Sequence, residues 1–153
     1  MGQVVFGSFE ELSGRVGQEI AVSDWLEVTQ DRIDQFADAT GDHQWIHIDV
    51  ERARRESPFG APIAHGFLTM SLLSYFLNES LEFGKSKLGV NYGFNRLRFT
   101  APVKAGSRLR TRFKLKEFQR IEGGVQMIWD IVMECEGEAK PVLVAEWLGR
   151  RYG

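Results

Sequence analysis

The chain has 153 residues, 43% of them apolar and 26% charged, with a formal net charge of −2. That length and apolar content suit one domain over residues 1–153 with a packed core, and they exclude a disordered chain. The near-balanced charge gives no global attraction for nucleic acid or an anionic membrane, and the single cysteine, Cys135, excludes both an internal disulfide and a Cys-x-x-Cys motif.

Met1 to Glu11 lack a basic start followed by an apolar run, so no signal peptide is expected. Ser8-Phe9-Glu10-Glu11 has the form of a capping box and predicts a short helix. Trp25-Leu26-Glu27-Val28 alternates as a strand does. Thr29 suits the N-cap of a second helix, on which Ile33, Phe36 and Ala37 recur at helical spacing, and Gly41 is placed to end it. From Gly41 to Ala64 the pattern is irregular, with a short charged helix over Val50 to Arg55. Pro58, Gly60 and Pro62 then force a loop.

After His65-Gly66, the run from Phe67 to Leu77 is apolar nearly all round, which predicts a helix buried on most sides. It contains Thr69, Ser71, Ser74 and Tyr75 and falls short of the ~20 apolar residues that span a bilayer. A soluble, cytoplasmic protein without a membrane segment is expected. Beyond it, segments around Leu88 to Phe99, Arg108 to Phe118, Val125 to Cys135 and Val142 to Arg150 alternate apolar and polar residues, separated by short turns such as Glu122-Gly123-Gly124. Such turns imply antiparallel neighbours. Five or so strands and one buried helix predict an α+β architecture, a curved antiparallel sheet wrapped around that helix. The sheet leaves an edge strand exposed, and pairing edges between two copies hides it, so a homodimer is expected.

Two places carry candidate chemistry. In Gly41-Asp42-His43-Gln44-Trp45-Ile46-His47, a carboxylate and an imidazole lie five residues apart outside regular structure. Brought together, Asp42 and His47 can hold a water and move its protons, because histidine titrates near neutral pH. The plainer reading is an Asx-type turn at Asp42 and a buried, satisfied His47. Downstream, Pro62-Ile63-Ala64-His65-Gly66 runs into the apolar helix. There the Gly66 N–H, at the positive end of the helix, can face a developing oxyanion, or Gly66 can simply permit close packing.

These two runs, Phe36 to Asp49 and Pro62 to Leu68, resemble the MaoC-like family, and the resemblance continues through Asn91-Tyr92-Gly93-Phe94-Asn95-Arg96-Leu97-Arg98-Phe99 and Ala101-Pro102-Val103. The chain looks closest to the family's NodN-like, single-domain branch. The resemblance implies a hot-dog fold, a dimer, and an (R)-specific enoyl-CoA hydratase or 3-hydroxyacyl thioester dehydratase that adds water syn across a trans-2-enoyl thioester. It places the catalytic pair on Asp42 and His47 and the oxyanion hole on Gly66. It implies no cofactor beyond the coenzyme A or acyl carrier protein of the substrate. Where better-known members often carry Asn-Pro, this chain has Gln44-Trp45, which puts the acyl chain length in doubt.

Trp45, His65, Asn91, Asn95 and Arg96 are further candidates for substrate contact. Met70, Leu72, Leu73 and Phe76 are core by default and can also line an acyl tunnel. Arg96, Arg98, Lys104, Arg108, Arg110 and Arg112 either meet coenzyme A phosphates or form the wet face of strands, and the alternate spacing of Arg108, Arg110 and Arg112 favours the second. His43 and His47 have metal-ligand spacing, but Gly41 and the missing His-Glu-x-x-His glutamate argue against a site, so no metal is expected. Two other functions stand beside the hydratase: a hot-dog thioesterase, disfavoured because no Asp or Glu lies between Gly66 and Leu77, and a non-catalytic acyl-thioester-binding subunit.

Overall fold

The computed structural model describes residues 2–153. The four long alternating segments form β5 (Leu88–Phe99), β6 (Arg108–Ile121), β7 (Gly124–Cys135) and β8 (Leu143–Tyr152). With β2 (Glu19–Val22) and β3 (Leu26–Glu27) they make one antiparallel sheet in the order β2-β6-β7-β8-β5, with β3 beside β6. A second, two-stranded sheet pairs β1 (Val4–Phe6) with β4 (Leu81–Phe83) in parallel.

Strand alternation decides which side faces inward. On β6, Leu109, Thr111, Phe113 and Leu115 are fully buried, while Arg108, Arg110 and Arg112 occupy the other face. Val125, Met127, Trp129, Ile131 and Met133 do the same on β7. Against this concave face lies α5 (Gly66–Ser80), presenting Leu68, Leu72, Leu73 and Phe76. Phe113 and Trp129 meet edge to face with ring centroids 6.0 Å apart. Each large side chain buried here contributes about 1.5–3 kcal/mol. The result is the expected α+β hot-dog fold, with the sheet wrapped around its helix.

The remaining helices are α1 (Phe9–Ser13), α2 (Gln30–Thr40), α3 (Trp45–Ile48) and α4 (Val50–Glu56). The side chains of Ser8, Thr29 and Asp49 cap α1, α2 and α4, and Gly41 closes α2 at φ 80°, a conformation that suits glycine. Among the described residues, no helix is long and apolar enough to cross a membrane.

Three features depart from expectation. The strands number eight among the described residues rather than five or so, because β1, β2 and β4 are too short to show a period. The single turn α3 forms inside the stretch expected to be irregular. And α5 is buried on one side only, with Phe67 66% and Tyr75 41% exposed, because the sheet of one chain curls around just one flank of the helix. On the uncovered side β5 pairs with β8 alone, and its Leu88, Val90, Tyr92 and Phe94 stay exposed.

Candidate active site

The site is assembled where α2 ends and α5 begins. Gly41 turns the chain out of α2, and the Asp42 carboxylate accepts a bond from the Gln44 N–H at 3.3 Å. This is the Asx-type contact of the plainer reading, and it leaves the rest of an exposed carboxylate available. The chain then makes the turn of α3, which places His47 inward, 6% exposed. Two tertiary bonds hold that turn: Gln30 Nε2 of α2 donates to the His47 carbonyl at 2.7 Å, and the Ile63 N–H donates to the Ile46 carbonyl at 3.0 Å.

The His47 ring is oriented by its own bond. Its Nδ1 lies 2.6 Å from the Ile63 carbonyl, which can only accept, so Nδ1 carries the hydrogen and Nε2 is left with a lone pair. Burial pushes the His47 pKa down, the Ile63 bond opposes that, His65 adds to the lowering and Asp42 works against it. The ring is therefore biased toward the neutral form, which suits a group that accepts a proton.

The segment Pro62–Ala64 is tied down on its other side as well, through Ala64 N–H to the Val103 carbonyl at 2.7 Å and Ala105 N–H to the Pro62 carbonyl at 2.9 Å. It delivers His65 to the N-cap of α5 and Gly66 to its first position. The His65 side chain does not cap the helix. Its Nε2 instead donates to the Asp42 carbonyl at 3.0 Å, and its ring stacks on His47 with centroids 3.9 Å apart and planes 23° apart. The first N–H groups of α5 thus lack the side-chain acceptor that other helices here have. A Cβ on Gly66 would lie 3.1 Å from the Phe99 ring, so a side chain there would crowd the approach. Beside Gly66 opens an apolar cleft of about 390 Å³, lined among others by Phe59, Ile63, Ala64, Phe99 and Val103.

One ligand-type atom each from Asp42, His47 and His65 falls within 4.8 Å of the others, the composition of a metal site. The ring stacking argues otherwise. Imidazole lone pairs lie in the ring plane, and two nearly parallel rings 3.9 Å apart send them side by side rather than onto one ion.

Of the expected contact residues, the structure brings Asp42, His47, His65 and Gly66 together. Trp45 is next to them in sequence, with its ring under the Arg52 guanidinium at 4.2 Å. Asn91 lines a groove between α5 and β5 with Met70, Ser74 and Trp147, whereas Asn95 bonds Glu146 on the outer face. Arg96 lies on the same exposed strand. Arg108 pairs with Glu136, Arg110 with Glu134, and Arg112 with Glu134 and Glu19, which makes these arginines the wet face of strands. His43 faces solvent and pairs with Asp38 at 2.9 Å, outside the cluster. Sequence reasoning missed Gln30, Phe36, whose ring lies 4.9 Å from that of His65, and the Ile63 carbonyl. Phe36 and Ile63 lie inside the two runs that carry the resemblance, but nothing local marks the role of any of the three, because each acts on a residue far along the chain.

These features define a hot-dog domain whose central helix starts bare against an acid and an imidazole. The chain belongs to the MaoC-like domain family, whose model matches residues 11–133. It is 46% identical over 144 residues to nodulation protein N of Rhizobium leguminosarum bv. viciae, covering 92% of this chain and 89% of that protein. It is 44% identical over 146 residues to 3-hydroxyacyl-thioester dehydratase Z of Mycobacterium tuberculosis, covering 95% of this chain and 96% of that protein. Among solved structures, the unliganded R-hydratase PhaJ1 of Pseudomonas aeruginosa superposes with a TM-score of 0.68 at 27% identity, covering 88% of this chain and 79% of that one.

Proposed function

We propose that the chain is a hydro-lyase that adds water reversibly and syn to a trans-2-enoyl thioester, giving an (R)-3-hydroxyacyl thioester. The observation that carries this reading is the clustering of Asp42, His47 and His65, with the His47 Nε2 lone pair unused and Gly66 following His65 at the uncapped start of α5. The names of the dehydratase and R-hydratase relatives support the reaction class and its stereochemistry.

In the forward direction, Asp42 and His47 hold one water by two hydrogen bonds. The pair takes a proton from that water as its oxygen bonds to C3. The C2–C3 π electrons move to form an enolate, whose charge falls on the thioester oxygen facing the Gly66 N–H. C2 then takes a proton from the same pair on the same face, which completes the addition of one water and accounts for syn geometry. Two titrating groups this close share their protons, so the pair is treated as one acid–base unit. The apolar cleft that Gly66 lines would house the thioester and its first carbons, and coenzyme A or acyl carrier protein is the carrier.

The working unit is a homodimer on this reading. An edge strand with exposed Leu88, Val90, Tyr92 and Phe94, next to a helix exposing Phe67 and Tyr75, is an apolar surface that a second copy would cover. Sedimentation should give twice the chain mass.

The test is crotonyl-CoA hydration, followed by loss of the enoyl absorbance beside a free-thiol assay, with the product resolved by chirality. Loss of the double bond without thiol release, yielding the (R)-product, is expected. Thiol release would make it a thioesterase, and binding without turnover would make it a non-catalytic subunit.

A further inference from the structure

The proposed reaction uses Asp42, His47 and Gly66 and leaves a buried titratable side chain beside them without a task. His65 is 3% exposed and occupies the N-cap of α5 without capping it. Its hydrogen bond goes across the site instead, from Nε2 to the Asp42 carbonyl at 3.0 Å. Its Nδ1 is buried with no hydrogen-bond partner among the described residues. Leaving a polar atom bare in this way is destabilising. An apolar ring would fill the same space between Phe36 and His47 without that penalty. What an apolar ring cannot do is donate to Asp42.

We propose that His65 is a positioning residue for the Asp42–His47 pair: its Nε2–H pins the chain at Asp42 to the start of α5, and its ring holds the His47 imidazole face-on. This rests on the reading that Asp42 and His47 perform the acid–base chemistry. The arrangement ties three segments together at this point, beside the bond from the Ile63 N–H to the Ile46 carbonyl. The Asp42 loop hangs on His65 Nε2, α3 hangs on the Ile63 carbonyl through His47 Nδ1, and Gly66 follows His65 in the chain. The acid, the base and the oxyanion donor are therefore referenced to one short stretch, Ile63 to Gly66. A group that must be placed within a fraction of an ångström gains from such a common anchor, because a misplacement of about 1 Å can cost about 10²-fold in rate.

The ring contact adds an electrostatic part. His47 is faced by Asp42 from its loop and by His65 from α5, while Gln30 of α2, itself bonded to Asp34, holds the His47 backbone. Of these, His65 pushes the His47 proton affinity down. Removing the second imidazole should raise it.

Two variants of the full chain separate the parts. His65→Phe keeps a ring against His47 and loses the donor. His65→Gln keeps an amide donor near the Nε2 position and loses the ring. With crotonyl-CoA, His65→Phe is expected to lose about 10–100-fold in kcat with KM within about twofold, and His65→Gln to recover most of that loss. In both, the His47 ring titration followed by nuclear magnetic resonance should move to higher pH. A His65→Phe enzyme with ordinary kcat, or equal losses in both variants with the His47 titration unmoved, would reduce His65 to packing and overturn the proposal. Should His65→Phe fail to fold, His65→Gln decides: a raised His47 titration with near-ordinary kcat supports it, and an unmoved one overturns it. If the unaltered chain turns over no enoyl thioester, the reaction is wrong, and the His47 titration in the two variants still decides the role of His65.

Discussion

The helix starts of this molecule fall into two kinds. Those of α1, α2 and α4 are closed by their own sequence: Ser8 accepts from Glu11 N–H at 3.3 Å, Thr29 from Arg32 N–H at 3.1 Å, and Asp49 from Arg52 N–H at 3.1 Å. Those of α3 and α5 have Gln44 and His65 at the N-cap, and neither side chain caps. The start of α1 lies away from the Asp42–His47 cluster, those of α2 and α4 border it through Gln30 and Asp49, and those of α3 and α5 carry His47, His65 and Gly66 into it. Donors satisfied by a local cap stabilise a helix by about 0.5–2 kcal/mol, and donors left open are the ones a substrate oxygen can use. The contrast teaches that stability and chemistry are assigned to different helix ends of one fold.

The largest expected effect breaks the chemical side of that contrast. Asp42→Asn and His47→Ala should each lower crotonyl-CoA turnover about 10²–10⁴-fold, since a positioned acid–base group contributes that much. Asp42 is exposed, so Asp42→Asn should melt close to the unaltered chain. Near-ordinary turnover by both folded variants would remove the pair from the mechanism.

Next in size is Gly66→Ala. Its N–H survives, but the new Cβ would lie 3.1–3.2 Å from the Phe99 ring, which must shift by a few tenths of an ångström toward the cleft. A drop of about tenfold in kcat/KM, or about 1.4 kcal/mol, is expected, with recovery when Phe99→Ala is added. If the double variant is no better than Gly66→Ala, crowding by Phe99 is not the cause.

Thr29→Ala tests the other kind of helix start. It should cost about 0.5–2 kcal/mol of stability by denaturant unfolding and leave kcat and KM nearly unchanged. A kinetic loss larger than the stability loss would show that α2 is coupled to the site through Gln30, which follows Thr29 and holds the His47 carbonyl.

What could be read in advance follows the same division. The caps of α1 and α2 and the Gly41 stop were legible because each is a contact within four residues, and the long strands were legible because β6 and β7 repeat every second residue. Asp42, His47 and Gly66 were picked out by residue type and by the family resemblance, each beside a plain local reading. The turn of α3 was not legible, since it is four residues held by Gln30 and Ile63 from outside. Nor was the bond from His65 to Asp42, which spans 23 positions. The exposed flank of α5 was misjudged because an apolar helix looks the same whether its own sheet or another surface is to cover it.

The smallest expected effect sharpens the contrast at the level of two imidazoles four residues apart. His43, exposed beside Asp38, has its pKa raised by that hydrogen bond, whereas burial pushes His47 down. A neutral His47 is the form that can accept a proton, so the acid limb of kcat/KM should lie below the ordinary histidine value of about 6.5. Stability has the same sign. The unfolded chain binds the His47 proton more readily than the folded one, so the contribution of His47 is complete above about 6.5 and declines as pH falls toward its folded pKa. Asp38→Asn should let His43 titrate at lower pH and leave the rate profile where it was. An acid limb that followed Asp38→Asn downward would transfer control of the reaction from the buried imidazole to the exposed one.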